Sequence, residues 1–292
     1  MRPVSRPPGR GSPRAVIDND VTVVVATRNR ADRLMETLPL HEGPVILVDN
    51  ASDDGTPDRV EDAFPQMRVV RLGDNRGAAG RNVGVELART PFVAFADDDS
   101  YWTTGSLRKA AGLLRDHPRT GLLSAQVLVG PEERVDPISE EMARAPLGVP
   151  DGAPGPAVLG FLACAVVVRR SAFLRAGGFN PTLHVYGEEA LLAMDMAADG
   201  WLLSYAPELT VRHLPEPTGR DPRARRRRQA RNDLLTALLR RPPTVVARTA
   251  AQAWQCDHGA VTDAARLLPW ALRRRQPLPA QVERALQTLT SR

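Results

Sequence analysis

Apolar runs in the first third of the chain recur at strand length, and each is followed by a polar cluster and then an amphipathic stretch. VTVVVAT at 21–27 is an unbroken, mostly β-branched run, the pattern of a strand covered on both faces. Ala31–Leu38 then predicts a short helix ending near Pro39. VILVD at 45–49 predicts a second buried strand, and Thr56–Phe64 a helix with Pro57 in its first turn. Arg68–Leu72 reads as a third strand and Gly77–Arg89 as a helix. Phe92–Ala96 reads as a fourth strand, halted by three aspartates, and Leu107–Arg115 as a further helix. This strand–helix alternation predicts an α/β fold with a parallel sheet. Crossovers in such sheets are right-handed, so the strands' C-terminal ends share one edge, where ligands bind. Thr27–Arg30, Asp49–Gly55, Gly73–Arg81 and Asp97–Ser100 follow the strands and are therefore expected to line one pocket.

Periodicity weakens in the second half. Gly121–Val129 predicts a strand, Gly130–Pro156 a mobile loop over the site, and Ala157–Val168 a strand. Gly187–Asp199 predicts a helix stopped by Gly200, followed by strands at Trp201–Tyr205 and Glu208–His213. Beyond Arg231 the pattern is helical, with Leu234, Leu235, Leu238 and Leu239 on one side. Residues 1–19, rich in Pro, Arg and Gly, predict a flexible arm.

Composition narrows the functional classes. With 42% hydrophobic residues in 292, the chain can bury a large core, which excludes wholesale disorder. No apolar run reaches membrane-spanning length, and the N-terminus lacks the apolar stretch of a secretory signal. Two cysteines, Cys164 and Cys256, cannot build a disulfide framework and suggest a reducing, cytoplasmic setting. The net charge of +5 rests on arginine, concentrated in the N-terminal arm and in Arg220–Arg231. Lys109 is the sole lysine and follows Arg108, so no Walker-type phosphate loop exists. There is no G-x-S-x-G, H-E-x-x-H or C-x-x-C.

FADDDS is the strongest chemical signal. Three aspartates at the end of a buried strand are costly without a counter-ion. Alternating side chains share a face, so Asp97 and Asp99 could meet one divalent cation, for which oxygen ligands favour Mg2+ or Mn2+. Taken alone, the triplet is also a helix-capping acidic turn. Asn50, Ser52, Asp54, Gly55 and Glu61 have EF-hand spacing, but a strand precedes them and Pro57 interrupts the loop. Asp49 instead reads as a strand-end group able to accept from a base N–H, with Asp53 and Asp54 forming the turn. GDNRGAAGRN opens a helix with free amides suited to an anion, although ordinary turn chemistry explains it equally. Glu188–Glu189 at a helix start are either dipole partners or a general base. His213 is either a metal ligand or structural. The Arg220–Arg231 cluster lacks the aromatics of a single-strand nucleic-acid binder. It suits a diphosphate, the inner face of an anionic membrane touched peripherally, or a solvated face.

In their order, these segments resemble glycosyltransferase family 2. VTVVVATRNR is similar to the family's first strand and nucleotide loop, VILVDNASDDGT to its second strand and turn, and NRGAAGRNVG to its third loop. FADDDS is similar to its acidic metal motif, GGFNPTLHVYGEEALLAMDMAADGW to its acceptor-side segment, and VRHLP to the later metal-ligand histidine. ARND resembles an Arg-Asn that follows that histidine in some members. The resemblance covers roughly Val21–Asp233.

It implies a GT-A-like, Rossmann-type, mostly parallel sheet flanked by helices. A domain at 20–232 would divide into a nucleotide-sugar half, 20–130, and an acceptor half, 131–232, with a helical extension at 233–292. It implies that Thr27 and Asp49 hold the nucleotide base, and that Arg28, Asn29, Arg30, Asn75, Gly77, Arg81, Asp97 and Asp98 line the donor site. Asp97, Asp99 and His213 would ligate Mn2+ or Mg2+. Glu189 would be the base, with Glu188 its alternative; the family often has Asp in this pair. The implied reaction is metal-dependent inverting transfer from a nucleotide-diphosphate sugar to an acceptor hydroxyl, without a nucleic-acid partner. Two other classes compete: a sugar-phosphate nucleotidyltransferase, whose glycine-rich loop is missing from ATRNRADR, and a basic nucleic-acid binder, whose binding would be steeply salt-dependent.

Overall fold

The computed structural model describes residues 20–215 and 221–290. The first half follows the predicted alternation. In order come β1 (Val21–Thr27), α1 (Ala31–Thr37), β2 (Val45–Asp49), α2 (Thr56–Ala63), β3 (Arg68–Arg71), α3 (Gly80–Leu87) and β4 (Phe92–Asp97). A short strand, β5 (Ser100–Trp102), follows the aspartates and precedes α4 (Ser106–Asp116). The second half adds β6 (Thr120–Val129), β7 (Arg134–Val135), α5 (Pro137–Ala143), β8 (Val166–Arg169), α6 (Arg170–Arg175), α7 (Glu188–Ala198) and β9 (Leu202–His213). Five helices follow: α8 (Pro222–Arg240), α9 (Pro243–Cys256), α10 (His258–Arg266), α11 (Leu268–Arg273) and α12 (Ala280–Thr290).

Among the described residues all nine strands join one sheet in the order β3-β2-β1-β4-β8-β6-β9-β5, with β7 added beside β6. The pairings of β1 with β2 and β4, of β2 with β3, and of β6 with β9 are parallel. β8 runs antiparallel between β4 and β6, so β6 and β9 share the direction of the first four strands. The result is the mostly parallel α/β sheet that the sequence predicts.

Alternation along β1 explains the layers. Val21, Val23 and Val25 enter a core with Leu34 and Leu38, Val60 of α2, and Leu107 and Leu114 of α4. Val24 enters the opposite core with Val85 of α3, Phe173 of α6 and Leu192 and Met196 of α7. Leu191, on the far side of α7, packs with Leu234, Leu235 and Leu239 of α8 in a third core. A helix buried on two sides must be apolar nearly all round. ALLAM at 190–194 satisfies that demand, and α7 thereby fastens the C-terminal helices to the sheet.

Several expectations are corrected. Gly130–Pro156 is not a bare loop: it carries β7 and α5, whose first turn is capped by the Asp136 carboxylate accepting from Ile138 N at 2.8 Å. Only Val166–Arg169 of the apolar 157–168 run is a strand, because a single 3-10 turn at Ala163–Ala165 precedes it. The two strands expected in 201–213 are one, β9, interrupted by a bulge between Ala206 and Thr210. Most of the arginine cluster is the first half of α8, and the expected boundary at 232–233 falls inside that helix. The N-terminal arm, 1–19, and Arg220 lie outside the described residues. Among the described residues no helix is long and apolar enough to cross a membrane.

Candidate functional site

The parallel register places the predicted groups side by side. Thr27 is level with Asp49 across β1 and β2, and Ala26 is level with Asp97 across β1 and β4. β5 pairs antiparallel with β9, matching Ser100 to His213, which brings the end of β9 beside the aspartates. Leu214 N donates to the Asp99 carbonyl at 2.8 Å and fixes that approach.

Each aspartate has a different partner. Arg81 of α3 binds Asp97, and its guanidinium also lies 5.9 Å from the centre of the Phe179 ring. Asp98 accepts from Thr27 Oγ1 at 3.1 Å and from Arg30 Nε at 3.3 Å. Its backbone carbonyl accepts from Thr37 Oγ1 at 2.8 Å. Burial, together with the charges of Asp99 and Asp97, pushes the Asp98 carboxyl up to about 6. Asp99 Oδ1 lies 3.4 Å from His213 Nε2, and Arg30 Nη2 is 4.0 Å from its other oxygen. Burial opposes ionisation of Asp99, but the hydrogen bond and charge of His213 hold its pKa below the usual value. That same bond raises His213.

Asp49 is buried and accepts from both the amide (2.9 Å) and the hydroxyl of Ser52. The outer loops are sewn together by Asn29, which exchanges hydrogen bonds with Asp53 (2.8 and 3.0 Å), while its amide donates to Ser52 Oγ. Asn29 therefore braces two loops, and Arg28 is exposed beside it. In the glycine-rich turn, Asn75 Oδ1 accepts from Gly77 N at 2.9 Å. Gly77 has φ +58°, and a Cβ there would fall 2.3 Å from the His184 carbonyl oxygen, so only glycine fits. Ala78 N donates to that same oxygen at 2.7 Å.

The acidic pair begins α7. Glu188 is 3% exposed, and its Oε2 has no hydrogen-bond partner among the described residues. Burial and the neighbouring Glu189 push Glu188 up to about 8. Burial likewise raises Glu189, against the pull of Arg81. Burial disfavours the Arg81 charge, yet Asp97, Glu188 and Glu189 outweigh it and hold its pKa above normal. One guanidinium thus stands between the aspartates and the acidic pair, which are separated by about ninety residues of chain.

Sequence reasoning missed several supporting groups. Asn50 Oδ1 accepts from Arg76 N (3.2 Å) and its Nδ2 donates to the Gly77 carbonyl (3.3 Å), holding the glycine-rich turn. Its signal was a polar residue immediately after the buried VILVD strand. Asn232, inside ARND, is fully buried and donates to the carbonyls of Leu183, Val185 and Tyr186 at 2.9, 3.1 and 2.6 Å. Arg231 Nη2 donates to the Thr182 and Leu183 carbonyls. Together they clamp the loop that delivers Glu188 and Glu189.

A divalent cation fits part of the expected ligand set. Asp99 and His213 present a carboxylate oxygen and an imidazole nitrogen amid excess negative charge, a donor set compatible with Mn2+ or Mg2+. Asp97, expected as a third ligand, is turned to Arg81. Among the described residues no three His, Cys, Asp or Glu side chains converge as a closed metal cage.

Comparison with known proteins bears on the family and the fold. The profile of glycosyl transferase family 2 matches residues 22–175. An N-acetylglucosaminyl-diphospho-decaprenol L-rhamnosyltransferase of Mycobacterium tuberculosis is 28% identical over 239 residues, covering 69% of this chain and 78% of that protein. A pre-mycofactocin glycosyltransferase of the same species is 32% identical over 218 residues, covering 71% of this chain and 44% of that protein. Two solved structures share the fold. The Pyrobaculum calidifontis mannosyltransferase in complex with GDP-Man and Mn2+ has TM-score 0.57 at 22% identity, covering 92% of this chain and 79% of that one. TarS 1–349 of S. aureus in complex with UDP-GlcNAc has TM-score 0.58 at 17% identity, covering 91% and 83%.

Proposed function

Because the chain belongs to glycosyl transferase family 2 and is a glycosyltransferase with the GT-A fold, we propose that it is a metal-dependent, inverting enzyme that moves a sugar from a nucleotide diphosphate to an acceptor hydroxyl. The observation that carries this reading is Arg81, which links the strand-end aspartates to the acidic pair in one charged constellation.

Thr27 and Asp49, level with each other at the ends of β1 and β2, face the nucleoside. Arg30, Asp98 and the turn at Asn75–Gly77 frame the ribose and diphosphate. The positive dipole end at the start of α3 favours the phosphates' negative charge. Asp99 and His213 would hold Mn2+ or Mg2+. Such a cation supplies positive charge to the departing diphosphate. The neighbours with GDP-Man and Mn2+ and with UDP-GlcNAc support a donor of this class.

Glu189 takes the acceptor proton, and the resulting alkoxide attacks the anomeric carbon opposite the leaving group. Glu189 is the more exposed of the pair, so it can reach a substrate, whereas Glu188 is nearly inaccessible. Buried and largely protonated at neutral pH, Glu188 acts through its neighbour. Inversion follows from one displacement, since a single carboxylate suffices and no covalent sugar intermediate forms.

The test is a screen of nucleotide sugars for thermal stabilisation with and without Mn2+, followed by product analysis. Release of nucleoside diphosphate and an inverted anomeric linkage by NMR is expected. Release of pyrophosphate, or retention of configuration, overturns the reading.

A further inference from the structure

The arginine cluster does not act as one patch. Arg231 turns inward onto the 182–183 carbonyls. Arg227 is bound to Asp263 at 2.7 Å, and Arg223 lies 3.5 Å from Asp257. Arg225 and Arg226 form no ion pair among the described residues. Both line a cleft of about 370 Å³ between α8 and α9, together with Gln229, Asp233, Gln252 and Cys256. That volume is within the range of small-molecule sites.

Two side chains that line this cleft pack against the residue before the acidic pair. The Arg225 guanidinium stacks 5.1 Å from the centre of the Tyr186 ring. At Gly187, a Cβ would meet Gln229 Nε2 at 2.7 Å and Asp233 Oδ1 at 3.3 Å. The next two residues are Glu188 and Glu189. The cleft therefore lies beside Gly187, the residue before the acidic pair.

We infer that the α8–α9 cleft is the acceptor subsite, and that the acceptor is a phosphorylated saccharide whose phosphoryl group meets Arg225 and Arg226. Guanidinium groups without carboxylate partners offer paired N–H donors that match phosphate oxygens. Asp233, Gln229 and Gln252 supply the mixture of acceptors and donors that sugar hydroxyls need. Neutralisation of Arg223 and Arg227 by their own carboxylates favours a local anion site over a broad membrane-binding face. The inference rests on the transferase reading.

Cys256 provides a readout independent of turnover, since it is exposed in the cleft while Cys164 is buried. The full chain is alkylated with N-ethylmaleimide in the presence of inorganic pyrophosphate, of sodium chloride at equal ionic strength, or of phosphatidylglycerol vesicles. Pyrophosphate at ten times its dissociation constant is expected to slow alkylation of Cys256 about tenfold, as mass action requires, and sodium chloride to leave it unchanged. Arg226→Glu should abolish protection with an unchanged melting temperature. Protection by vesicles but not by pyrophosphate overturns the subsite and assigns the arginines to a membrane surface. No protection from pyrophosphate, while nucleotide sugar still stabilises the same preparation, overturns the subsite and leaves the transferase reading intact. Absence of any nucleotide-sugar stabilisation overturns both.

Discussion

Arg81 grips Asp97 across sixteen residues of sequence, from a helix start to a strand end, and is itself 8% exposed. It is the cation most enclosed among the site's carboxylates. Phe179 beneath it belongs to a triad with Phe95 and Phe173, whose ring centres are 5.4–5.6 Å apart. Asn82 binds both backbone groups of Phe179, at 2.9 and 3.0 Å. The guanidinium is thus held in place by packing as well as by charge.

Arg81→Ala should therefore damage stability and turnover together. Breaking a buried ion pair typically costs ~3–5 kcal/mol. The lower end is expected, because the Asp97 side chain is 37% exposed and stays partly solvated. Urea unfolding measures the loss. Arg81→Lys should recover part of the stability but less of the activity, since an ammonium cannot reproduce the planar donor fork.

Asp99→Ala should remove the Mn2+-dependent part of nucleotide-sugar stabilisation while leaving the fold intact. His213→Ala should weaken it in the same direction. Thermal shift with a metal titration reads both, and an unchanged metal response in Asp99→Ala would move the cation elsewhere.

Glu189→Gln should bind donor and fail to transfer, with turnover reduced by about 10²–10⁴-fold, as for loss of a general base. In the wild type, rate should rise with pH, since the base works only when ionised and burial raises its pKa. Glu188 is already protonated across that range, so Glu188→Gln should leave the acid limb where it is. Stability carries the opposite sign. Between Glu188's unfolded pKa near 4.5 and its folded value of about 8, the folded chain holds the extra proton, and stability falls as pH rises. Glu188→Gln should flatten that decline in unfolding curves measured across pH.

Asn232→Ala should release the 183–186 loop and leave carbonyls unpaired at a fully buried position. A cost of about 1–3 kcal/mol is expected for stranded buried groups. Steady-state kinetics should show a lower kcat, because the clamp holds the loop that carries the acidic pair.

The first half was legible in the sequence because both of its signals are local. A β-branched run such as 21–27 announces a strand, and parallel crossovers bring the segment after each strand to one edge. The second half resisted for the same physical reason. Ala157–Val168 is buried whether extended or turned, so apolarity alone does not separate the states. In 130–156 the helix of seven residues is too short to show a period, and its Asp136 cap was the readable sign. Asn232 was visible only as part of ARND; its role depends on carbonyls more than forty residues upstream, which no local pattern encodes. Asp97 was expected beside Asp99 on a cation, whereas a helix start supplied Arg81, a pairing that the alternation of strand side chains does not contain.

The bond from Ala78 to the His184 carbonyl joins the glycine-rich turn to the loop before the acidic pair. The turn proposed to face the leaving phosphates and the loop that carries Glu189, the proposed proton acceptor, share that contact, and Gly77 lets them approach without a spacer. Displacing either segment transmits strain to the other. Under the proposed roles, movement of the donor-side turn would be felt by the loop that carries Glu189.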